Sequence, residues 1–174
     1  MSNIIRCIYP FTESFLDYPD NESNCISIYI LGCEHNCIDC SNPNFQNINY
    51  ESKNVLETNV NNFLRLLKDF TKGRYTQKIT LLGGDPLFST NLLFTKELLI
   101  KNIFHDICIY TGYEIDYLKE HNVKGFTYVK CGQYDNTQLQ TSFKNDNMIQ
   151  FASKNQKLYD KDFNLLSYDG IYKF

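Results

Sequence analysis

The chain has 174 residues, of which 43% are hydrophobic, and 17 basic against 20 acidic side chains give it a formal net charge of −3. This length suits one domain spanning residues 1–174, and the apolar content excludes a disordered chain. The charge balance provides no general attraction to nucleic acid or to an anionic membrane, so neither is expected as a partner. Without a signal-peptide pattern or an apolar run of about 20 residues, the expected location is cytoplasmic.

Four short runs of β-branched and aromatic residues predict strands, and three amphipathic runs between them predict helices. The predicted strands are 26–31, 78–82, 106–110 and 126–130, and the predicted helices are 55–70, 90–102 and 114–121. This alternation favours an α/β fold with a mostly parallel sheet, its core at about 26–135 and a C-terminal extension at 136–174. Four strands are too few for a closed eight-stranded barrel, so a partial (β/α) barrel or an open sheet fits better.

The unusual residues of the chain follow the predicted strands. Their loops begin at Gly32, Gly83, Thr111 and Cys131. Because the carboxyl ends of parallel strands meet at one edge of a sheet, the four loops are expected to converge on one active site. The aromatic-rich segment 158–174 is compatible with a hairpin, an edge strand or a partner surface.

Three of the seven cysteines, Cys33, Cys37 and Cys40, have the spacing C-x3-C-x2-C on the first of these loops. Thiolates bind iron–sulfur clusters, and three ligands hold three corners of a four-iron cube while leaving the fourth iron open. A zinc site is the alternative, and it would need a fourth ligand such as His35 or the distant Cys131. His35 is otherwise expected to be solvated or to form hydrogen bonds.

The remaining cysteines are scattered, and an odd total argues against a complete disulfide framework. Free cysteine packs well as a small hydrophobe. We therefore expect buried free thiols at Cys7, Cys25, Cys108 and Cys131.

The second loop contains Gly83, Gly84, Asp85 and Pro86. Glycines let the backbone approach a ligand closely, and an exposed carbonyl or carboxylate can accept a hydrogen bond from an ammonium group. Alone, such a loop is also a good turn, so its meaning depends on the cysteines that precede it.

Together these two motifs resemble those of the radical S-adenosylmethionine (SAM) superfamily. Within the superfamily, the chain resembles the activating proteins of anaerobic (class III) ribonucleotide reductase from about residue 9 to residue 159. The motifs that carry this narrower resemblance are Thr111-Gly112-Tyr113 and Ser153-x-Asn155-Gln156-Lys157.

The resemblance implies a radical SAM partial barrel that holds one 4Fe–4S cluster on Cys33, Cys37 and Cys40. It further implies SAM contacts, which fall on Gly83, Gly84, Asp85, Pro86, Thr111 and Tyr113, with weaker candidates at Asn155 and Gln156. The expected reaction is reductive cleavage of SAM to a 5′-deoxyadenosyl radical, which generates a glycyl radical on the catalytic subunit of anaerobic ribonucleotide reductase. A flavodoxin- or ferredoxin-type protein is the expected electron donor.

The chain departs from the family pattern at four places. It lacks the Gly-Pro-Gly turn before the first predicted strand, and Cys131-Gly132-Gln133 stands where the family has Asp-Gly-Lys. Phe151-Ala152 replaces Arg-Gly, and Asp39 replaces an aromatic residue before the third cysteine. The departures bear on the partner and on the geometry of SAM binding. Two alternatives are kept: another radical SAM enzyme, such as a different glycyl-radical activase or a 7-carboxy-7-deazaguanine synthase, and a non-enzymatic zinc or iron–sulfur module.

Overall fold

A computed structural model describes residues 3–20, 24–73, 77–102, 105–141 and 148–174 of the chain. Its ten strands are β1 (Ile4–Ile8), β2 (Thr12–Ser14), β3 (Cys25–Ile30), β4 (Val55–Asn59), β5 (Lys78–Gly83), β6 (Asp106–Tyr110), β7 (Tyr128–Cys131), β8 (Met148–Gln150), β9 (Lys157–Asp160) and β10 (Ile171–Lys173). Its three α-helices are α1 (Val60–Thr71), α2 (Leu92–Lys101) and α3 (Ile115–Glu120). Within these described ranges no helix is both long and apolar enough to cross a bilayer.

The main sheet is mixed, with a parallel centre. Its strand order is β4-β1-β3-β5-β6-β7-β9, and β2 also pairs with β3. The four predicted strands correspond to β3, β5, β6 and β7, which run parallel to one another. The flanking strands β1, β2 and β4 pair antiparallel and were not predicted. Strand β9 also pairs antiparallel. The α/β class is thus confirmed, and the described strands do not close into a barrel.

The prediction of a helix over 55–70 is wrong for its first turn and a half. Residues 55–59 form β4, which pairs with β1 from Ile4 opposite Asn59 to Ile8 opposite Val55. The helix begins only at Val60, because the Asn59 side chain accepts a hydrogen bond from the Asn62 backbone N–H at 3.0 Å and caps it. The apolar residues of the strand and those of the helix fit one helical spacing over 55–70. The sequence pattern therefore did not show where the strand ends and the helix begins.

Helices cover one face of the sheet and bury its main core. Side chains from the four parallel strands pack there against Phe63 and Leu67 of α1, Phe94 and Leu98 of α2, and Leu118 of α3. The opposite face of the same strands carries a smaller cluster around Tyr18, Cys25 and Cys108. Because successive side chains of a strand point to opposite faces, β3, β6 and β7 contribute residues to both clusters.

The C-terminal extension contributes to both sheets. Strand β9 pairs antiparallel with β7 as an edge strand of the main sheet. Strand β10 pairs with β8 in a separate two-stranded sheet, whose Ile149 packs with Phe151 and Leu158. An edge strand, one of the three alternatives left open for residues 158–174, is therefore present at Lys157–Asp160.

Candidate functional site

A cavity of about 470 Å³ opens where the parallel strands end. The cysteine loop, the glycine loop, the Thr111 loop and the Cys131 loop, which follow β3, β5, β6 and β7, all contribute to its wall. The predicted residues in this wall are Cys33, Cys37, Cys40, Gly83, Gly84, Asp85, Thr111 and Gln156. Residues that are distant in the sequence are thus brought together around one space.

Cys33, Cys37 and Cys40 are free, partly exposed thiols on the wall of this cavity. Two left-handed residues, Asn36 with a φ of 51° and Asp39 with a φ of 58°, turn the loop between them. Both residue types tolerate this conformation better than most, so the loop can bend twice within eight residues.

The three thiols suit an iron–sulfur cube. Among the described residues no three His, Cys, Asp or Glu side chains converge on a single metal ion. A cube has a different requirement, because each cysteine binds a separate iron and the sulfur atoms must be spread around the cluster. Three unpaired cysteines that share one cavity wall meet that requirement in number and chemistry.

Burial affects the protonation of these thiols. It raises the pKa of Cys33 to about 11, and it also raises the pKa of Cys37. Both groups are therefore protonated at neutral pH until a metal displaces the proton, and metal binding is coupled to proton release.

The cysteine loop is joined to the glycine loop through the backbone. The Gly84 N–H donates to the Ile30 carbonyl at 2.7 Å, and the Asp85 N–H donates to the Gly32 carbonyl at 2.7 Å. A Cβ on Gly84 would lie only 2.5 Å from the Gly32 oxygen and 2.6 Å from the Phe45 oxygen. Glycine is thus required at position 84 by close contact between the two loops.

The Asp85 carboxylate is buried and connects three loops. Oδ1 accepts from the Leu87 N–H at 2.8 Å, and Oδ2 accepts from the Gly112 N–H at 2.9 Å. The Thr111 hydroxyl lies 2.9 Å from both oxygens, and His35 Nε2 lies 2.8 Å from Oδ2. A carboxylate offers about four lone-pair sites, so these partners use nearly all its accepting capacity.

His35 was expected either to be solvated or to form hydrogen bonds, and in the structure it lies within hydrogen-bond distance of Asp85. Besides its contact with Asp85, its ring packs edge-on against Tyr113 with centroids 4.5 Å apart. The ring also fills the space beside Gly112, where a Cβ would lie 2.4 Å away. His35 therefore fixes the cysteine loop against the Thr111 loop.

Two other predicted residues lie behind the cavity wall. The Tyr113 ring stacks on Tyr117 with centroids 3.9 Å apart, and its hydroxyl donates to Glu34. Pro86 accepts a hydrogen bond on its carbonyl from the Thr95 hydroxyl at 2.6 Å. In this structure both residues support the loops from outside.

The Ser153–Gln156 motif joins the loop after β7. The Asn155 side chain donates to the Gln133 carbonyl at 2.8 Å, and Gln156 Nε2 donates to the Gly132 carbonyl at 3.3 Å. Ser153 Oγ accepts from the Asp135 N–H at 3.2 Å. This turn thus holds the fourth loop, and Gln156 also reaches the cavity wall.

The scattered cysteines are confirmed as buried free thiols. Cys7, Cys25, Cys108 and Cys131 are all buried and unpaired. Burial raises the pKa of each of them. These four cysteines pack in the interior and do not belong to the loop that contains Cys33.

Sequence reasoning missed Lys130 and Asp17, which also line the cavity. On β7, Val129 and Cys131 point into the helix-covered core, so the half-buried Lys130 points to the opposite face. Its Nζ lies 5.1 Å from the centroid of the Tyr110 ring. Burial lowers the pKa of Lys130 to about 8, against the opposing effect of neighbours that include Asp85 and Cys37. Side chains alternate between the two faces of the predicted strand 126–130, and this alternation could have indicated that Lys130 points away from the helix-covered core.

Two comparisons with known proteins agree with this geometry. The model of the 4Fe-4S single cluster domain family matches residues 23–159, a span that contains all four loops. The chain is also 27% identical over 171 residues to the anaerobic ribonucleoside-triphosphate reductase-activating protein of Enterobacteria phage T4, covering 95% of this chain and 96% of that protein. The matched span is most of the chain, and the chain therefore belongs to the 4Fe-4S single cluster domain family.

Proposed function

We propose that this chain is a single-domain radical SAM activase that generates a glycyl radical on an anaerobic ribonucleotide reductase. The observation that carries the proposal is the shared cavity, in which three cysteines with the C-x3-C-x2-C spacing lie beside residues 83–85. The similarity to the phage T4 activating protein, which extends over nearly the whole of both chains, supports the choice of partner. We interpret the parallel strands β3, β5, β6 and β7 as a partial (β/α) barrel of the radical SAM type.

In this proposal Cys33, Cys37 and Cys40 hold a 4Fe–4S cluster and leave one iron free for SAM. When bound, the cluster would supply the electron that cleaves the carbon–sulfur bond of SAM to methionine and a 5′-deoxyadenosyl radical, and that radical would take a hydrogen atom from a backbone glycine of the reductase. The contribution of this chain is to position the reactants and to exclude water from them.

Residues 83–85 are proposed to accept the amino group of SAM, mainly through their backbone. The carboxylate of Asp85 already accepts hydrogen bonds from Leu87, Thr111 and Gly112. Its proposed role is to hold the glycine loop and the Thr111 loop at a fixed separation. Gly83 and Gly84 are partly exposed and line the cavity, and their carbonyl groups are the proposed acceptors for the ammonium group.

The test begins with anaerobic reconstitution of the protein with iron and sulfide. We expect one four-iron cluster per chain and, with dithionite and SAM, formation of 5′-deoxyadenosine. Addition of an anaerobic ribonucleotide reductase should then yield a glycyl radical signal in electron paramagnetic resonance. About one zinc per chain without labile sulfide would contradict the proposal, and SAM cleavage without a glycyl radical would favour another radical SAM enzyme.

Substitution of single cysteines tests the ligand assignment. Cys37→Ala should abolish cluster binding and SAM cleavage, because two cysteines hold only two corners of the cube. Cys108→Ala is the matched control, since Cys108 is buried away from the loop and should leave the cluster content unchanged. Production of 5′-deoxyadenosine by the Cys37 variant would refute the assignment.

A further inference from the structure

A second cavity, of about 480 Å³, adjoins the candidate site across the cysteine loop. Cys37 and Cys40 line the first cavity, whereas Ile38, which lies between them in the sequence, lines the second. Gly112 and Tyr134 belong to both walls, so the two cavities are neighbours. The proposed function gives the second cavity no role.

Side chains of the second cavity hold the cysteine loop directly. The Gln133 side chain donates to the His35 carbonyl at 2.7 Å, and the Asn136 side chain donates to Asp39 Oδ2 at 3.1 Å. Gln133 and Asn136 both line the second cavity. A protein that docks there would therefore contact the residues that hold the three cysteines in place.

The wall of the second cavity combines an exposed apolar side chain with acceptors and negative charge. Ile38 is 71% exposed, and Glu114 and Asp135 supply two carboxylates. No Lys, Arg or His of the described ranges lines this wall. Asn155 Oδ1, which belongs to the same wall, is buried and accepts no hydrogen bond from the described residues. Such a surface is complementary to a protein face that carries lysine or arginine around an apolar centre.

We propose that the second cavity is the docking site of a one-electron donor protein whose contact face is basic. This inference rests on the proposed function, because it assumes a cluster on Cys33, Cys37 and Cys40. In that function the first cavity holds SAM and receives the glycine of the reductase, so an electron has to enter from another side. The second cavity is suitable because only the cysteine loop separates it from the first.

The electron transfer itself is balanced without further reactants. The donor is oxidised by one electron, the cluster is reduced by one electron, and no bond forms or breaks. Basic side chains of the donor would pair with Glu114 and Asp135, and an apolar side chain would cover Ile38. The Asn155 oxygen would accept a hydrogen bond from one of the basic side chains. Because opposite charges steer association, docking should be fastest at low ionic strength.

The test uses cytochrome c as the probe, since it is a small redox protein with lysines around its haem edge. Reconstituted protein is reduced with dithionite, freed of excess reductant and mixed with ferricytochrome c in a stopped-flow instrument, which measures the rate constant of electron transfer. The electron leaves the cluster in this assay, but the distance between the docked redox centres is the same in either direction. The rate constant should fall between ionic strengths of about 0.01 M and about 1 M, where the Debye length is about 30 Å and about 3 Å.

Two double variants that lose the same charge locate the docking site. Glu114→Gln combined with Asp135→Asn should slow electron transfer about fivefold or more at low ionic strength. At high ionic strength the difference from the wild type should disappear. Asp69→Asn combined with Asp162→Asn is the matched control, because both residues are exposed and do not line the second cavity. This control should transfer electrons nearly as fast as the wild type.

Two further measurements test the contact without relying on charge steering. Ile38→Ser should slow electron transfer about fivefold at both ionic strengths, because it removes the apolar contact. Carbodiimide cross-linking of the wild type should join lysines of the cytochrome to Glu114 or Asp135. This second readout does not depend on electron transfer, and it decides the question if a variant fails to assemble its cluster.

Equal slowing in the two double variants would overturn the inference, since only the net charge would then matter. An absence of slowing in both, or cross-links outside the second cavity, would overturn it as well. In these cases the wild type would still form 5′-deoxyadenosine with dithionite and SAM, and the proposed function would stand. Failure of the wild type to bind a cluster or to cleave SAM would overturn both.

Discussion

Asp85 is the residue on which the candidate site depends most, because its buried carboxylate accepts hydrogen bonds from two loops and contacts a third. Leu87, Thr111 and Gly112 donate to it, and His35 lies within hydrogen-bond distance. An asparagine has the same shape but would direct an N–H₂ group toward some of these donors. A buried donor without an acceptor costs free energy, and so does an acceptor that is lost.

We therefore expect Asp85→Asn to lower the free energy of unfolding by about 2–3 kcal/mol. For a chain of this size that corresponds to a decrease of roughly 5–10 °C in melting temperature, measured by calorimetry on the metal-free protein. Asp69→Asn on the exposed side of α1 is the matched control and should change the melting temperature by less than about 1 °C. An Asp85 variant as stable as this control would show that the network contributes little to stability.

At the scale of elements, the boundary between β4 and α1 depends on a single side chain. Asn59 is the last residue of the strand and the cap of the helix, and it accepts a hydrogen bond from the Asn62 N–H. We expect Asn59→Ala to destabilise the protein by about 1 kcal/mol in urea denaturation. Asn59→Asp retains a capping oxygen and should remain close to the wild type; equal losses in the two variants would contradict a capping role.

His105 packs near the ends of α1 and α2 and provides a pH-dependent contribution. It contacts the Thr71 hydroxyl at 3.4 Å and Asn102 Oδ1 at 3.1 Å, and burial lowers its pKa. The folded state therefore binds its proton less readily than the unfolded state does. This histidine stabilises the fold above its ordinary pKa of about 6.5, and the contribution is lost as the pH falls below that value.

We accordingly expect the free energy of unfolding to fall between about pH 7 and pH 5, and to fall less steeply in His105→Gln. Urea denaturation at several pH values measures both slopes. Identical slopes for the variant and the wild type would show that His105 does not titrate differently in the folded and unfolded states.

The sequence predicted the elements that carry strong local patterns. The four parallel strands have continuous apolar and β-branched runs, and each was located to within two residues. The short strands β1, β2, β8 and β10 depend on pairing with distant segments, and a three- to five-residue run has no clear period of its own. Their positions follow from tertiary contacts, which no local pattern encodes.

The candidate site was predicted in its loops but not in its connections. Spacing identified Cys33, Cys37 and Cys40, and a strand followed by glycines identified residues 83–85. The sequence could not show that the carboxylate of Asp85 accepts hydrogen bonds from neighbouring loops, or that Lys130 lines the same cavity. Both facts depend on which face of a strand a side chain occupies and on loops that meet only in the folded chain.

At the scale of the whole molecule, the loops around the cavity form one connected unit. Backbone hydrogen bonds join the glycine loop to the cysteine loop, Asp85 joins them to Gly112, and Gln156 joins the last loop to the C-terminal segment. A ligand that holds one loop should therefore stabilise the others.

We expect cluster reconstitution to slow amide hydrogen exchange together at Gly32, Gly84, Asp85 and Gly112, each by about tenfold or more. The amide of Asn61, in the exposed first turn of α1, exchanges by local opening, provides the internal control and should exchange at the same rate with and without cluster. Protection confined to the cysteine loop would mean that the loops open independently.

The cavity wall extends in the sequence from Leu16 to Gln156. A ribosome produces these residues in order, so the wall is incomplete until residue 156 has emerged, long after the cysteines at 33–40 are exposed to the cell. On the proposed ligand assignment, iron and sulfide should therefore be loaded only after this segment has been translated.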